Sequence, residues 1–522
     1  MAAFSWPVGR ATAAVPAQVR FAPAGGGSDW STWAILSGAM LLAVVAGLMA
    51  AVGAGNMAIM LVIAVVLAGA GLFDYRIIVF ALIIMFPLTS THFFPRKLFG
   101  VYGLNPFNLL FFFGLVSFSL RHILALRKGV SRLPSPLFFW PLIFALCSAA
   151  IIGSRTVHLI PPSYYLNTDT YRTSSEYLRQ VLVKPLFVLG FIYLIAAGVS
   201  TSRRKALWVW PVLVGGAGVA LMIIFYVGAS GVGLRALAET SSRSFLTPTG
   251  MHANELGVAL IPLLSVSLFI LPALSRLRSQ FLSFVICVIA LCGIALTFSR
   301  AAFLGTVIVG LAFALKRKRP AWIFIALIAV VTVMLFSPES VKNRVTRSLE
   351  FGSIGNTGPS GDPLTAGRMN EVWLPMLPEL KDHALFGNGI DAMMRSLAAQ
   401  KGLVFATHPH NAYYRLALDY GIFFGAFILL YLWRIWALWR NVARDPTVDP
   451  VLRAFFDGIC VAFLAFLAQC MSGSSLVFDA PHALYLYSIG VGLGISASFS
   501  KVGMKAVAAE FDSGHRRLVS AD

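Results

Sequence analysis

The sequence predicts an all-α polytopic membrane protein of about 12–14 transmembrane helices with one large loop outside the membrane. Three observations carry this. Of 522 residues, 58% are hydrophobic and only 12% charged, where a soluble domain carries about 25% charged residues. Apolar runs of spanning length, roughly 17–25 residues, recur along nearly the whole chain. Basic clusters fall in alternate connections, the asymmetry that orients helices in a bilayer.

Residues 1–31, rich in Ala, Pro and Gly with Arg10 and Arg20, read as a disordered cytoplasmic leader. The apolar run that follows is too long for a cleaved signal and is expected to stay as an anchor. Candidate spans lie at 32–52, 56–73, 76–91, 104–121, 136–153, 181–199, 206–229, 254–274, 279–297, 299–315 and 320–336, which makes eleven helices over 32–336. Residues 337–409 form the large polar loop, with short amphipathic helices. Three more spans follow over 410–499, at 411–438, 453–472 and 481–499, and residues 500–522 are a cytoplasmic tail. The third and tenth spans are the shortest.

The formal net charge of +20 does not point to nucleic acid. The basic clusters are Arg121 to Arg132, Arg203 to Lys205, Arg276 and Arg278, Lys316 to Arg319, Arg440 to Arg453, and Lys501 to Arg517. With fourteen spans and both termini inside, all of them fall on the cytoplasmic side, and the 337–409 loop falls outside. The cysteines, Cys147, Cys287, Cys292, Cys460 and Cys470, all lie in apolar runs. They read as packing residues, with neither a disulfide framework nor metal spacing.

Polar chemistry concentrates on the outer side. Segment 154–180 carries Arg155, His158, Arg172, Glu176 and Arg179, and segment 230–253 carries Arg235, Arg243 and His252 before Asn254 and Glu255. Arg300 sits in a tight turn between two apolar runs. A guanidinium there is either an anchor that snorkels to headgroups or a functional cation, and its planar fork suits phosphate. Leu304, four residues on, shares its helical face.

In the long loop, the stretch 351–367 is rich in Gly, Pro and Ser but lacks the Gly-Lys-Ser/Thr ending of a phosphate loop. After Arg368, the residues Met369, Val372, Trp373, Met376, Leu377 and Leu380 recur at helical spacing. They suggest an amphipathic helix lying on the membrane or on the spans, cut by Pro375 and Pro378 into two short pieces.

The loop ends in His408-Pro409-His410-Asn411. Asn411 is a good N-cap for the next span. Counted as helical, Tyr414 and Gly421 fall four and eleven residues after His410 on its own face, so a neighbouring helix is expected to pack on Gly421. His410 is either a satisfied interfacial histidine or a general base near neutral pH. Within the span, Arg415 and Asp419 stand four apart as an ion pair. The His-x-His spacing lacks further ligands, so no metal is expected.

These motifs resemble the O-antigen ligase and O-antigen polymerase-like family of membrane glycosyltransferases. Arg300-Ala-Ala-Phe-Leu304 is similar to its Arg-x-x-x-Leu signature, and His410 through Gly421 to its His-x10-Gly signature. Gly367-Arg368, Trp373 and Gly387-Asn388-Gly389 resemble its outer-loop pattern. The likeness covers about residues 250–440.

The resemblance implies transfer of a glycan from undecaprenyl diphosphate to an acceptor hydroxyl on the periplasmic face of the bacterial inner membrane. It implies inversion, neither metal nor other cofactor, and an acceptor that is a growing glycan, lipid A-core or a protein. It gives catalytic roles to His410 as base and to Arg300 and Arg368 on the diphosphate. His408, Asn411, Tyr413, Tyr414, Asn254 and Glu255 would contact substrate, with Gly421 and Leu304 structural. Membrane lipids, and not nucleic acid, are the expected surroundings. A transporter of an anionic or lipid-linked solute, using the same arginines only to bind, is the competing reading.

Overall fold

The computed structural model describes residues 74–91, 94–95, 97–98, 101–102, 105–126, 134–165, 171–231, 246, 249–317, 368–473 and 475–498, with residues 69 and 71. The expected spans 32–52, 56–73 and 320–336, the leader, the tail, the 337–367 part of the loop, and Arg235 and Arg243 lie outside or almost wholly outside the described residues.

The protein is all-α and polytopic. Its helices are α1 (Tyr75–Met85), α2 (Pro106–Leu126), α3 (Trp140–Ser154), α4 (Ser174–Thr201), α5 (Lys205–Ala229), α6 (Ala253–Ala273), α7 (Leu277–Thr297), α8 (Arg300–Arg317), α9 (Leu377–Asp382), α10 (Ala412–Arg444), α11 (Pro450–Gln469) and α12 (483–498). Eight of the helices among the described residues are long and apolar enough to cross a membrane. The third expected span is only α1 followed by a 3-10 turn, Phe86–Ser90, because Pro87 withholds the N–H that an α-helix would need. The connection from α1 to α2, where no element was expected, holds a small antiparallel ladder of Lys97–Leu98 with Val101–Tyr102.

α6 is the centre of the bundle and packs on α5, α7, α8 and α11. Small residues and hydroxyls permit this close packing. A Cβ on Gly458 of α11 would stand 2.9 Å from Val266 Cα of α6. Ser265 Oγ donates to Gly458 O at 2.7 Å, and Ser283 Oγ to Ser267 O at 2.8 Å, so each buried hydroxyl is satisfied inside the bundle.

The helix ends sort by charge. Arg276 and Arg278 stand at the start of α7, Lys316 and Arg317 at the end of α8, and Arg440 and Arg444 at the end of α10. Lys316 pairs with Asp457 of α11 at this basic end. Arg300 and His410 stand at the opposite ends of the same helices.

Candidate functional site

Three helices begin together at that opposite end. Asn254 Oδ1, in the first turn of α6, accepts from Ser299 Oγ at 2.9 Å, just before α8. Gln469 Nε2, at the end of α11, donates to Ala301 O at 2.9 Å. The next residue, Cys470, accepts at its O from Ala412 N, the first residue of α10, at 2.9 Å. The end of α11 therefore bridges the starts of α8 and α10, and α6 is tied to α8. Each of the three starts turns the positive end of a helix dipole toward this surface.

His252 caps α6: its Nδ1 accepts from Asn254 N at 3.3 Å, while Glu255 Oε2 accepts from His252 N at 2.9 Å. Asn411 caps α10, its Oδ1 accepting from Tyr413 N and Tyr414 N at 3.0 and 3.1 Å. Glu255 and Asn411 are thus engaged in capping. Tyr413 donates to Leu467 O of α11 at 2.7 Å, which makes it a tie between helices. Leu304 is 49% exposed and turned away from the core.

The loop is brought onto this surface from 368 onward. Arg368 opens a π-helical turn, Met369–Trp373, and α9 follows after the break at Pro375. The apolar face packs inward: Val372 and Met376 join Ala392, Met393, Ala398, Val404 and Leu418 of α10 in a small second core. Trp373 Nε1 donates to Pro409 O at 2.8 Å, and Tyr414 OH donates to Trp373 O at 2.8 Å with the two rings stacked. Tyr414 is therefore part of the clamp that fixes the His408–His410 segment.

Arg368 is half-buried. Burial, and after it the charge of Arg300, hold its guanidinium below the ordinary arginine value. Two residues 68 apart in sequence thus stand close enough to repel. Among the described residues Arg368 has no carboxylate partner. The His408 and His410 rings lie 4.2 Å apart. Burial, then Arg368 and His252, press the His410 imidazole down to about 4. Burial, then His410, Arg415, Arg368 and His252, press His408 down to about 3. Both rings are neutral at pH 7 and sit beside permanent positive charge. Such a site favours an anion. Among the described residues no group of three or more His, Cys, Asp or Glu is placed to hold a metal ion.

Two expectations about α10 are overturned. His410 has φ 52° and precedes the N-cap, so it is not on the helix and shares no helical face with Tyr414 or Gly421. Gly421 does not receive a neighbouring helix. It breaks α10 with φ 62° and ψ −170°, and the loop fills the break. Asn388 N and Gly389 N donate to Leu418 O and Asp419 O at 2.9 and 3.0 Å. Ile422 N and Phe423 N donate to Ala384 O and Leu385 O at 2.8 and 2.9 Å. The helical bonds lost at the break are thus replaced by segment 384–389.

Charged groups missed in the sequence reading lock this insertion. Arg415 Nε meets Asp419 Oδ2 at 3.2 Å, the expected i,i+4 pair, and Arg415 also pairs with Asp391 of the loop. Tyr171 donates to Asp391, and Asp419 Oδ1 accepts from Ala392 N at 3.0 Å. Arg395 is 2% exposed. It donates to Ile390 O and Asn388 O at 2.9 and 2.8 Å and lies over the Tyr177 ring. The Gly387-Asn388-Gly389 pattern was the available signal for this segment; nothing near Asp391 or Arg395 marked them.

The non-glycine residues with left-handed φ among those described are Phe298, Asp391 and His410, at 46°, 62° and 52°. Phe298 turns the chain into Ser299 and Arg300, so all three lie on the elements that build this surface. Such strain persists where surrounding structure enforces it, and it concentrates at functional sites.

Residues 285–430 match the family described as O-antigen ligase. This segment is O-antigen ligase-like. A search of curated proteins found no match for the chain. The ligase-like segment holds Arg300, Arg368, His408, His410, Asp391 and Gly421, and it contains both the α10 break and the loop that fills it. His252, Asn254 and Glu255 lie outside it but reach the same surface through Ser299.

Proposed function

We propose that this multi-pass, O-antigen ligase-like protein transfers a glycan from undecaprenyl diphosphate to an acceptor hydroxyl. The observation that carries the reading is the placement of Arg368 beside Arg300, near a half-buried neutral His410, inside the ligase-like segment. Arg300 and Arg368 hold the diphosphate and stabilise the negative charge that grows on it as it leaves. His410 accepts the proton of the acceptor hydroxyl. The acceptor oxygen bonds to the anomeric carbon, the bond from that carbon to the diphosphate oxygen breaks, and undecaprenyl diphosphate departs. One displacement inverts the anomeric centre, and no metal is needed, because the arginines supply the counter-charge. His408, its ring 4.2 Å from that of His410, contacts substrate beside it.

In this reading residues 368–409 cover the outer end of the bundle and the basic helix ends face the cytoplasm, in keeping with the positive-inside rule, so the site belongs to the periplasmic face of the inner membrane. The acceptor is a growing polysaccharide, lipid A-core or a protein hydroxyl; all three suit the same donor chemistry.

Purified protein given undecaprenyl-diphosphate glycan and an acceptor should release undecaprenyl diphosphate, and His410→Ala should abolish release while the protein stays folded in detergent. Release at the wild-type rate from His410→Ala would remove the general-base role. Solute flux into vesicles without release from any acceptor would favour a transporter.

A further inference from the structure

Resting on that reading of the site, we propose that Tyr164 is a positioning residue for the transfer: it straps the loop backbone just ahead of His408 and so holds His410 in place. Tyr164 belongs to the outer segment between α3 and α4, in the 3-10 turn Pro162–Tyr165, well before the ligase-like residues 285–430. It is 4% exposed. Its hydroxyl donates to Val404 O at 2.7 Å and lies 3.4 Å from Ala406 O, so one side chain grips the loop at alternate residues. Val404 is itself buried, and Ala406 packs on the small second core.

The strap stands at one end of a short stretch of backbone. At the other end, Trp373 Nε1 donates to Pro409 O at 2.8 Å. Between the two holds lie Thr407 and His408, whose Oγ1 and Nδ1 are 3.1 Å apart. His410 follows directly, with φ 52°. A non-glycine residue keeps that conformation only while its surroundings enforce it. Tyr164 also works from a fixed base. In the same outer segment Tyr171 donates to Asp391, and Tyr177 OH donates to Ile390 O at 2.9 Å. A Cβ on Gly389 would stand 2.4 Å from Gly153 N, so the end of α3 abuts the loop. Packing alone does not explain the hydroxyl, since phenylalanine would fill the same space and leave the Val404 carbonyl without this donor.

Tyr164→Phe removes the hydroxyl and keeps the ring. Tyr165→Phe is the control, because Tyr165 OH donates to Ile160 O at 3.4 Å, inside its own segment. The full chain in nanodiscs is assayed for release of undecaprenyl diphosphate, and amide hydrogen exchange is followed over residues 404–411. Tyr164→Phe should lower kcat about tenfold, the cost of a sub-ångström misplacement of the base. The donor KM should stay unchanged, since Arg300 and Arg368 are not on the strapped stretch. Exchange over 404–411 should quicken. The acid limb of kcat/KM should rise from about 4 toward 6.5, because a loosened His410 regains water and draws away from Arg368 and His252. Activity is then lost at a higher pH on acidification, which a smaller folded fraction alone would not produce.

Wild-type kcat, exchange and acid limb in Tyr164→Phe would overturn the strap. A lower kcat with the limb still at about 4 would overturn it too, as would the same changes in Tyr165→Phe. Absence of transfer by the wild-type protein with every acceptor would instead sink the underlying reading, while the exchange rates would still decide whether Tyr164 holds the loop.

Discussion

Gly421→Ala tests the assembly of the site more sharply than any change at the surface. A Cβ built on Gly421 lies 2.4 Å from Gly387 N and 2.6 Å from both Leu385 C and O. All three are backbone atoms, so no rotamer change relieves the clash. The conformation itself, φ 62° and ψ −170°, is one that glycine alone adopts easily, at a cost to alanine of about 1–3 kcal/mol. Relief requires segment 384–389 to move out. That breaks some of the four bonds through Asn388, Gly389, Ile422 and Phe423, each worth about 1 kcal/mol and costlier when its groups stay buried. Loss of two bonds on top of the strain gives about 3–5 kcal/mol, enough to release the insertion locally. The control is Gly425→Ala, four residues on, where a Cβ would meet only Leu416 side-chain atoms at 3.7 and 3.8 Å. It should be neutral or slightly stabilising, as Gly→Ala within a helix usually is. The assay is thermal unfolding in detergent, with limited proteolysis mapped across 384–410 and release of undecaprenyl diphosphate as the activity readout. Gly421→Ala should melt earlier, become cleavable in the loop and lose transfer, and Gly425→Ala should behave as wild type. Equal melting, protection and activity for the two variants would refute the inserted-loop account of the break.

Asp391→Asn should destabilise the same region by about 3 kcal/mol, because it removes one of the two carboxylates that pair with the largely buried Arg415; a double-mutant cycle with Arg415→Met measures the coupling, and additive effects would mean the pair contributes nothing. The pH profile should place the acid limb of kcat/KM near 4, well below the usual 6.5, since His410 must be neutral to accept a proton and burial, Arg368 and His252 favour its neutral form. Activity is thus retained as pH falls through 6 and is lost on approaching 4. Because bound diphosphate adds negative charge beside the ring and favours the imidazolium, the limb of kcat should lie higher than that of kcat/KM. An acid limb of kcat/KM centred at 6.5 would contradict the half-buried position of His410 beside Arg368.

What the sequence disclosed follows from what each signal depends on. Spans α2 to α7, α10 and α11 were legible because bilayer thickness acts on every residue of a run, so a run's length alone marks it. Arg300 stood out because a guanidinium between two apolar runs is costly wherever the chain goes, whereas Arg368 stood out only through the family resemblance. The break in α10 was not legible: eleven steps at 100° describe a continuous helix, and nothing in AYYRLALDYGIFF says that loop backbone will replace the helical bonds. Only Gly421 hinted at it, and its hint was misread as helix packing because glycine permits both close approach and positive φ. The nearness of the α6 start to the α8 start was not legible either, because it depends on the Asn254–Ser299 bond across 45 residues. The site is therefore a product of long-range ties among helix starts. A change that loosens one tie, such as Asn254 to Ser299, should act on donor binding and leave the span pattern intact.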